Sequence, residues 1–161
     1  MIDAIKHNVV TAFPGAVREQ DDDSHISLAP ESWTDIASYL KVTNGILFDS
    51  CMCITGVDLG PDNPLEVRYN LHSMTLNHKV EIRIAVERDK PVIPSVALVW
   101  RMADWFEREV YDMYGITFSG HPDLRRMLLP EDWEGYPLRK DYEEPDAYHG
   151  IVIPKVKDIW E

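Results

Sequence analysis

Residues 106–145 read FEREVYDMYGITFSGHPDLRRMLLPEDWEGYPLRKDYEEP, which sets Glu107, Glu109 and Asp112 ahead of His121 and follows them with Arg125, Arg126, Arg139 and Lys140. Paired carboxylates and a histidine are the side chains that general acid–base catalysis and metal-assisted hydrolysis use. Helical phase argues against a dyad, because two residues apart is a turn of about 200°, so Glu107 and Glu109 point nearly opposite ways. His121 is followed by Pro122 and stands beyond a helix end, with no fixed partner set by spacing. HExxH, GxSxG, P-loop and GxGxxG patterns are absent. The other chemistry open to these residues is recognition. Arg, Trp and Tyr anchor protein contacts because they join large apolar area to few, directional hydrogen bonds. Here Trp133, Tyr136 and Tyr142 interleave with Arg139, Lys140 and Asp141. The local basic character given by Arg125, Arg126, Arg139 and Lys140 would match a carboxylate-bearing partner groove.

The element that must position the acids is a helix. The spacing predicts one after Pro94, with Ser95 as N-cap and Gly115 as its stop. Val96, Val99, Trp100, Ala103, Phe106, Val110 and Tyr114 form its apolar stripe, while Arg101, Asp104, Trp105, Arg108 and Asp112 line another face. Asp104 with Arg108, and Arg108 with Asp112, are i,i+4 pairs, each worth about 0.2–0.5 kcal/mol as helix support. Beyond Gly115 the periodicity ends. Pro122, Pro130, Pro137, Pro145 and Pro154, with Gly120, Gly135 and Gly150, leave no room for a long helix. The segment still carries Leu124, Leu128, Trp133, Tyr136, Leu138 and Tyr142, which suits an arm that orders by lying on something.

Upstream, Ile2, Ile5, Val9 and Phe13 mark a first amphipathic helix ending at Pro14-Gly15. Ile26 and Leu28 alternate with His25 and Ser27 as a short strand, and the preceding Asp21-Asp22-Asp23 run reads as a solvated turn rather than a calcium loop. Pro30-Glu31 opens a second helix with Trp33, Ile36, Ala37 and Leu40 inward, closed at Asn44-Gly45. Three strands follow, in ILFDSCMCITGVDLG, LEVRYNLHSMTL and KVEIRIAVER, and their short connections favour antiparallel pairing. His72 and His78 read as surface or turn residues. Cys51 and Cys53, the only cysteines, sit at i and i+2 of an extended strand, roughly 6.5 Å apart on one face. They read as two buried thiols, the alternative being half of a metal site completed by a partner chain.

The 161 residues suit one compact domain, and 45% hydrophobic residues suit a packed core. A formal charge of −12 repels phosphate backbones and anionic lipid, so neither nucleic acid nor a direct membrane contact is expected. No run of roughly 18 apolar residues exists, and the start MIDAIKHNVVTAF lacks a basic region with an apolar signal core. The default expectation is a cytoplasmic address.

Three blocks in order carry a resemblance: Glu107-Arg108-Glu109-x-x-Asp112-Met113-Tyr114-Gly115-Ile116, then Gly120-His121-Pro122-Asp123-Leu124-Arg125-Arg126, then Leu129-Pro130-x-Asp132-Trp133-x-Gly135-Tyr136-Pro137-Leu138-Arg139-Lys140-Asp141-Tyr142. Over about forty residues the chain resembles the 30 kDa subunit family of respiratory complex I, the bacterial NADH-quinone oxidoreductase, and Gly56-Val57-Asp58 and residues 91–105 also resemble it. The resemblance implies an α+β body, with helices packed on a small, largely antiparallel sheet, over residues 1–115, and an extended, irregular partner-docking arm over residues 116–161. It implies a non-catalytic subunit of the peripheral arm of a proton-translocating NADH:quinone oxidoreductase, docked on the 49 kDa-type subunit and its cluster-bearing neighbours. No cofactor is expected in this chain, FMN and iron–sulfur clusters belonging to partner subunits. It also implies a place on the cytoplasmic face of the bacterial inner membrane, reached only through the complex.

The docking residues implied are Glu107, Arg108, Glu109 and Asp112 on the helix, His121, Arg125 and Arg126 in the turn beyond it, and Trp133, Tyr136, Arg139, Lys140, Asp141 and Tyr142 in the arm. Two rivals remain. One is the equivalent subunit of a ferredoxin-fed, F420-linked or hydrogenase-type relative; the other is a stand-alone metal-dependent hydrolase using His121 with nearby acids.

Overall fold

Strict alternation in the middle of the chain builds the sheet. In the computed structural model, which describes residues 2–18 and 24–153, β3 (Leu65–Ser73) buries Leu65, Val67, Tyr69 and Leu71. β4 (His78–Val86) buries Val80, Ile82, Ile84 and Val86 on the same face, since antiparallel register sets Tyr69 opposite Ile82 and Leu71 opposite Val80. β2 (Ser50–Asp58) pairs antiparallel on the far side of β3, and β1 (Ile26–Leu28) pairs parallel with β4. The sheet is therefore mixed, in the order β1-β4-β3-β2. Its other face carries Arg68 directly opposite Arg83. That like-charge pair is offset within each strand, by Glu66 at 3.0 Å from Arg68 and Glu81 at 2.5 Å from Arg83.

Helices cover the apolar face. α1 (Ile2–Ala12) turns Ile5 and Val9 inward. A single 3₁₀ turn (Pro30–Ser32) leads into α2 (Trp33–Val42), which buries Trp33, Ile36, Ala37 and Leu40. Trp33 packs against Tyr69 at 4.6 Å and Trp100 at 6.4 Å between ring centroids. Trp100 donates its indole N–H to the Phe48 carbonyl at 2.9 Å, so its polar atom is satisfied inside the core. Burying one large apolar side chain of this kind contributes about 1.5–3 kcal/mol.

Three expectations need correction. The helix predicted from Ser95 begins eight residues later: α3 spans Ala103–Tyr114, and the stretch before it carries two short turns, at 97–99 and 101–102. The cause lies in a second, two-stranded parallel sheet, β5 (Val92–Pro94) with β6 (Thr117–Ser119), which extends to Ser95 because its N–H donates to the Ser119 carbonyl. The Ser95 hydroxyl donates to Glu107 at 2.6 Å and accepts from the Ala97 N–H at 3.1 Å, so it caps a turn and not a helix. The cysteines do not share a face. A bulge at Met52 shifts the register between Cys51 and Cys53, so Cys51 pairs with buried Leu71 while Cys53 pairs with Asn70 on the other side. Burial pushes the Cys51 thiol up to about 12. His78 is not a surface residue: it is buried edge-on against Phe48, with ring centroids 5.0 Å apart. The acidic run Asp21–Asp23 lies outside the described residues.

Candidate docking surface

Two buried carboxylates, Asp112 and Asp58, tie the segment beyond Gly115 to the body, and a third, Glu107, ties the turns ahead of α3 to that helix. Asp112 is the most heavily used: on α3 but fully buried, its Oδ2 accepts the N–H groups of Met127, Leu128 and Leu129 at 2.7–3.0 Å. Its Oδ1 takes the Arg126 guanidinium at 2.8 Å. Burial alone would raise the pKa of this carboxyl, but those three amides and Arg126 outweigh it and hold the group below the usual carboxylate range. Arg126 then reaches onward to the carbonyls of Trp133 and Gly135, so one ion pair fixes two turns of the arm.

Asp58 closes the far end. It terminates β2, where it accepts Arg88 bidentately at 2.7 and 2.9 Å, the Gly60 N–H at 2.8 Å and the Lys140 N–H at 2.8 Å. The Arg88 guanidinium is the main reason its carboxyl stays far below the usual range. Arg88 also reaches Asp141 at 3.1 Å, so it bridges body and arm. In the sequence Asp58 stands out only through the family resemblance; its local signal is an acid at a strand end followed by a turn at Gly60.

Glu107 completes the frame. Fully buried, it accepts the Ser95 hydroxyl and, at 2.8 Å, the Val96 N–H. Burial raises its carboxyl to about 7. His121, which the spacing left without a partner, is fixed on both nitrogens. Its Nδ1 accepts the Asp123 N–H at 3.0 Å, which puts the proton on Nε2, 3.2 Å from the Asp104 carbonyl and 3.9 Å from Glu107. The His121 side chain is wholly enclosed, and no group of three metal-ligating side chains occurs among the described residues.

The arm packs on α3 through close ring contacts. Arg139 donates to the Tyr114 carbonyl at 2.6 Å, and the Leu138 N–H to the Met113 carbonyl at 3.1 Å. The guanidinium groups of Arg126 and Arg139 both lie over the Tyr136 ring, 5.3 and 5.0 Å from its centroid. Gly115 is required beneath it: its φ is 70°, and a Cβ there would fall on the Tyr136 ring. Trp133 donates its indole N–H to the Tyr142 hydroxyl at 3.2 Å.

The predicted residues thus divide. Glu107, Arg108 and Asp112 are buried in the chain itself, Arg108 stacking on Trp105 and donating to the Arg125 carbonyl, rather than pairing along the helix. Glu109, Arg125, Lys140 and Asp141 face outward, and Trp133, Tyr136, Arg139 and Tyr142 are half-buried across the arm.

The chain matches the family described as "Respiratory-chain NADH dehydrogenase, 30 Kd subunit" over residues 26–148. It is 49% identical over 125 residues to the C subunit of the NADH-quinone oxidoreductase of Chloroherpeton thalassium, covering 77% of this chain and 52% of that one. The corresponding C subunit of Chlorobium phaeobacteroides is 48% identical over 128 residues, covering 79% of this chain and 77% of that one. The chain thus spans about half the length of the first of these relatives. Among solved structures, "Nqo5 of the trypsin-resistant fragment (1-134)" superposes with a TM-score of 0.62 at 27% identity, over 77% of this chain and 100% of that one. A chain of an archaeal membrane-bound sulfane sulfur reductase superposes at 0.68 with 22% identity, over 88% of this chain and 85% of that one, a likeness of fold alone. The α+β fold, the ordered signature through α3 and the arm, and these matches place the chain in one family: it belongs to the 30 kDa subunits of the respiratory-chain NADH dehydrogenase.

Proposed function

We propose that this chain is a non-catalytic structural subunit of the peripheral arm of a proton-translocating NADH:quinone oxidoreductase. It docks through its arm on the 49 kDa-type subunit, and holds that subunit and its cluster-bearing neighbours in place while electrons pass from NADH through FMN and iron–sulfur clusters to quinone. The carrying observation is the arm itself: Asp112 and Asp58 hold its amides at Met127, Leu128, Leu129 and Lys140, while the side chains of Arg125, Lys140 and Asp141 stay exposed, Arg125 beside Asp123 and Asp141 beside Arg88. Such a frame lowers the entropy cost of docking, because the partner meets an arm already in place. The enclosed His121 gives a substrate no access, which removes the hydrolase rival's catalytic group.

No cofactor is assigned to this chain. Its two cysteines point to opposite faces of β2, so they supply no paired thiolates, and FMN and clusters belong to the partners. No described helix is long and apolar enough to cross a membrane, and the membrane is reached through the complex, on its cytoplasmic face.

The test is Trp133→Ala together with Arg139→Ala in the native complex. Both substitutions should lower recovery of the assembled peripheral arm and, in proportion, its NADH:quinone reductase activity. Full assembly with full activity in the double variant would remove the docking role.

A further inference from the structure

The turns that lead into α3 leave an apolar surface that the arm does not cover. Val96, Trp100 and Ala103 are buried, whereas Leu98, Met102 and Trp105 are 88%, 57% and 57% exposed. Backbone bonds run these turns directly into α3, since the Trp100 N–H donates to the Val96 carbonyl, that of Ala103 to Trp100 and that of Phe106 to Met102. Single exposed apolar residues are ordinary on a protein surface; a leucine, a methionine and a tryptophan on consecutive turns are not.

Two free donors flank the patch. Arg101 is exposed between Leu98 and Met102 and has no hydrogen-bond or ion-pair partner among the described residues. The indole N–H of Trp105 is likewise unclaimed, while the Trp105 ring is held in place by the Arg108 guanidinium 5.3 Å from its centroid. Arg and Trp are the side chains whose burial most often dominates the energy of an interface.

We infer that Leu98, Arg101, Met102 and Trp105 form a second docking surface, separate from the arm, for a different protein chain that presents an apolar side chain next to a carboxylate. The carboxylate is required by the two free donors, because burying Arg101 without an acceptor would cost more than the apolar contact returns. A second copy of this chain is the poorer occupant. A twofold contact would bring two Arg101 guanidinium groups onto one small patch, and the net charge of −12 opposes self-association at longer range. This surface is independent of the arm's partner, since none of its residues belongs to the arm.

The test places the photocrosslinker p-benzoylphenylalanine at position 102 of the full chain in its own cells, followed by irradiation of intact membranes and mass spectrometry of the adduct. The expected adduct is one defined peptide of a different co-assembling chain, with an apolar residue within a few positions of an aspartate or glutamate. Adding Arg101→Glu should lower the adduct yield about tenfold, and Arg101→Lys by much less. Circular dichroism melting of the purified Arg101→Glu chain should match the unsubstituted protein, because the side chain is exposed and unpaired. An adduct to a second copy of this chain, to a peptide without carboxylates, or to nothing overturns the inference, as does an adduct insensitive to Arg101→Glu. Loss of arm docking in Arg139→Ala with the position-102 adduct retained separates the two surfaces; loss of the adduct with the arm docked overturns only this one.

Discussion

Body and arm solve the problem of staying folded in opposite ways. The body buries Trp33, Tyr69, Phe48, Phe118 and a set of Ile, Leu and Val, and no buried hydrophobic residue lies beyond Phe118 among the described residues. The arm has no core of its own. It is held by carboxylates of the body, Asp112 and Asp58, acting on its amides and on Arg126 and Lys140. Apolar burial is cooperative and hard to lose in part, whereas a small set of charge-assisted hydrogen bonds can be released locally. The arm can therefore be freed or re-seated without unfolding the body, which suits the docking role proposed for it.

The largest effect should come from the body. Trp33→Ala removes a fully buried ring and should cost about 4 kcal/mol of global stability, read as a lower urea midpoint for body and arm together. Asp112→Ala should come next, at about 3 kcal/mol, since it leaves three amides unpaired and strips Arg126 of its carboxylate. Its loss should be local. Amide exchange at Met127, Leu128 and Leu129 should become fast while Leu71 and Ile82 keep their protection, and equal loss in both regions would break the comparison.

The pH response should separate the regions next. Glu107 titrates near 7 folded against 4.5 unfolded, so between those values the folded chain keeps a proton that the unfolded chain gives up. Stability should therefore fall as pH rises through that window, and Glu107→Gln should flatten the slope. Asp58 and Asp112 are shifted the other way, from 3.8 downward. Their contribution is complete above the unfolded value and is lost as pH falls through the folded one, so acid should release the arm first. The smallest effect is Gly115→Ala, about 1–2 kcal/mol, from a residue forced to positive φ with its Cβ against Tyr136; a thermal melt should show it.

How much is legible in the sequence follows the same division. α2 and β3 are visible because their inward residues, Trp33, Ile36, Ala37 and Leu40 in one and Leu65, Val67, Tyr69 and Leu71 in the other, keep period in the chain itself. Ser95 misleads because its hydroxyl has two outlets, a helix cap or the distant Glu107, and only the parallel pairing of β5 with β6 decides between them. Arg108 and Asp112 look solvent-facing on a helical wheel; the arm covers that side of α3, and nothing in the helix announces it. Asp58 is hidden for a related reason, since Lys140 meets it across 82 residues of chain. Leu98 lies in the turns ahead of α3 and Trp105 in its first turn, and a single helix running on from Ser95 conceals that difference.

The most direct test of the central claim is purification of the tagged chain from native membranes, with every co-purifying chain identified by mass spectrometry. The 49 kDa-type subunit and its cluster-bearing neighbours should be recovered with the unsubstituted chain, and Asp112→Ala should lose them while its body still melts cooperatively. Recovery of the chain alone, or equal recovery of the 49 kDa-type subunit from an Asp112→Ala chain whose arm is shown to be free, would contradict that claim.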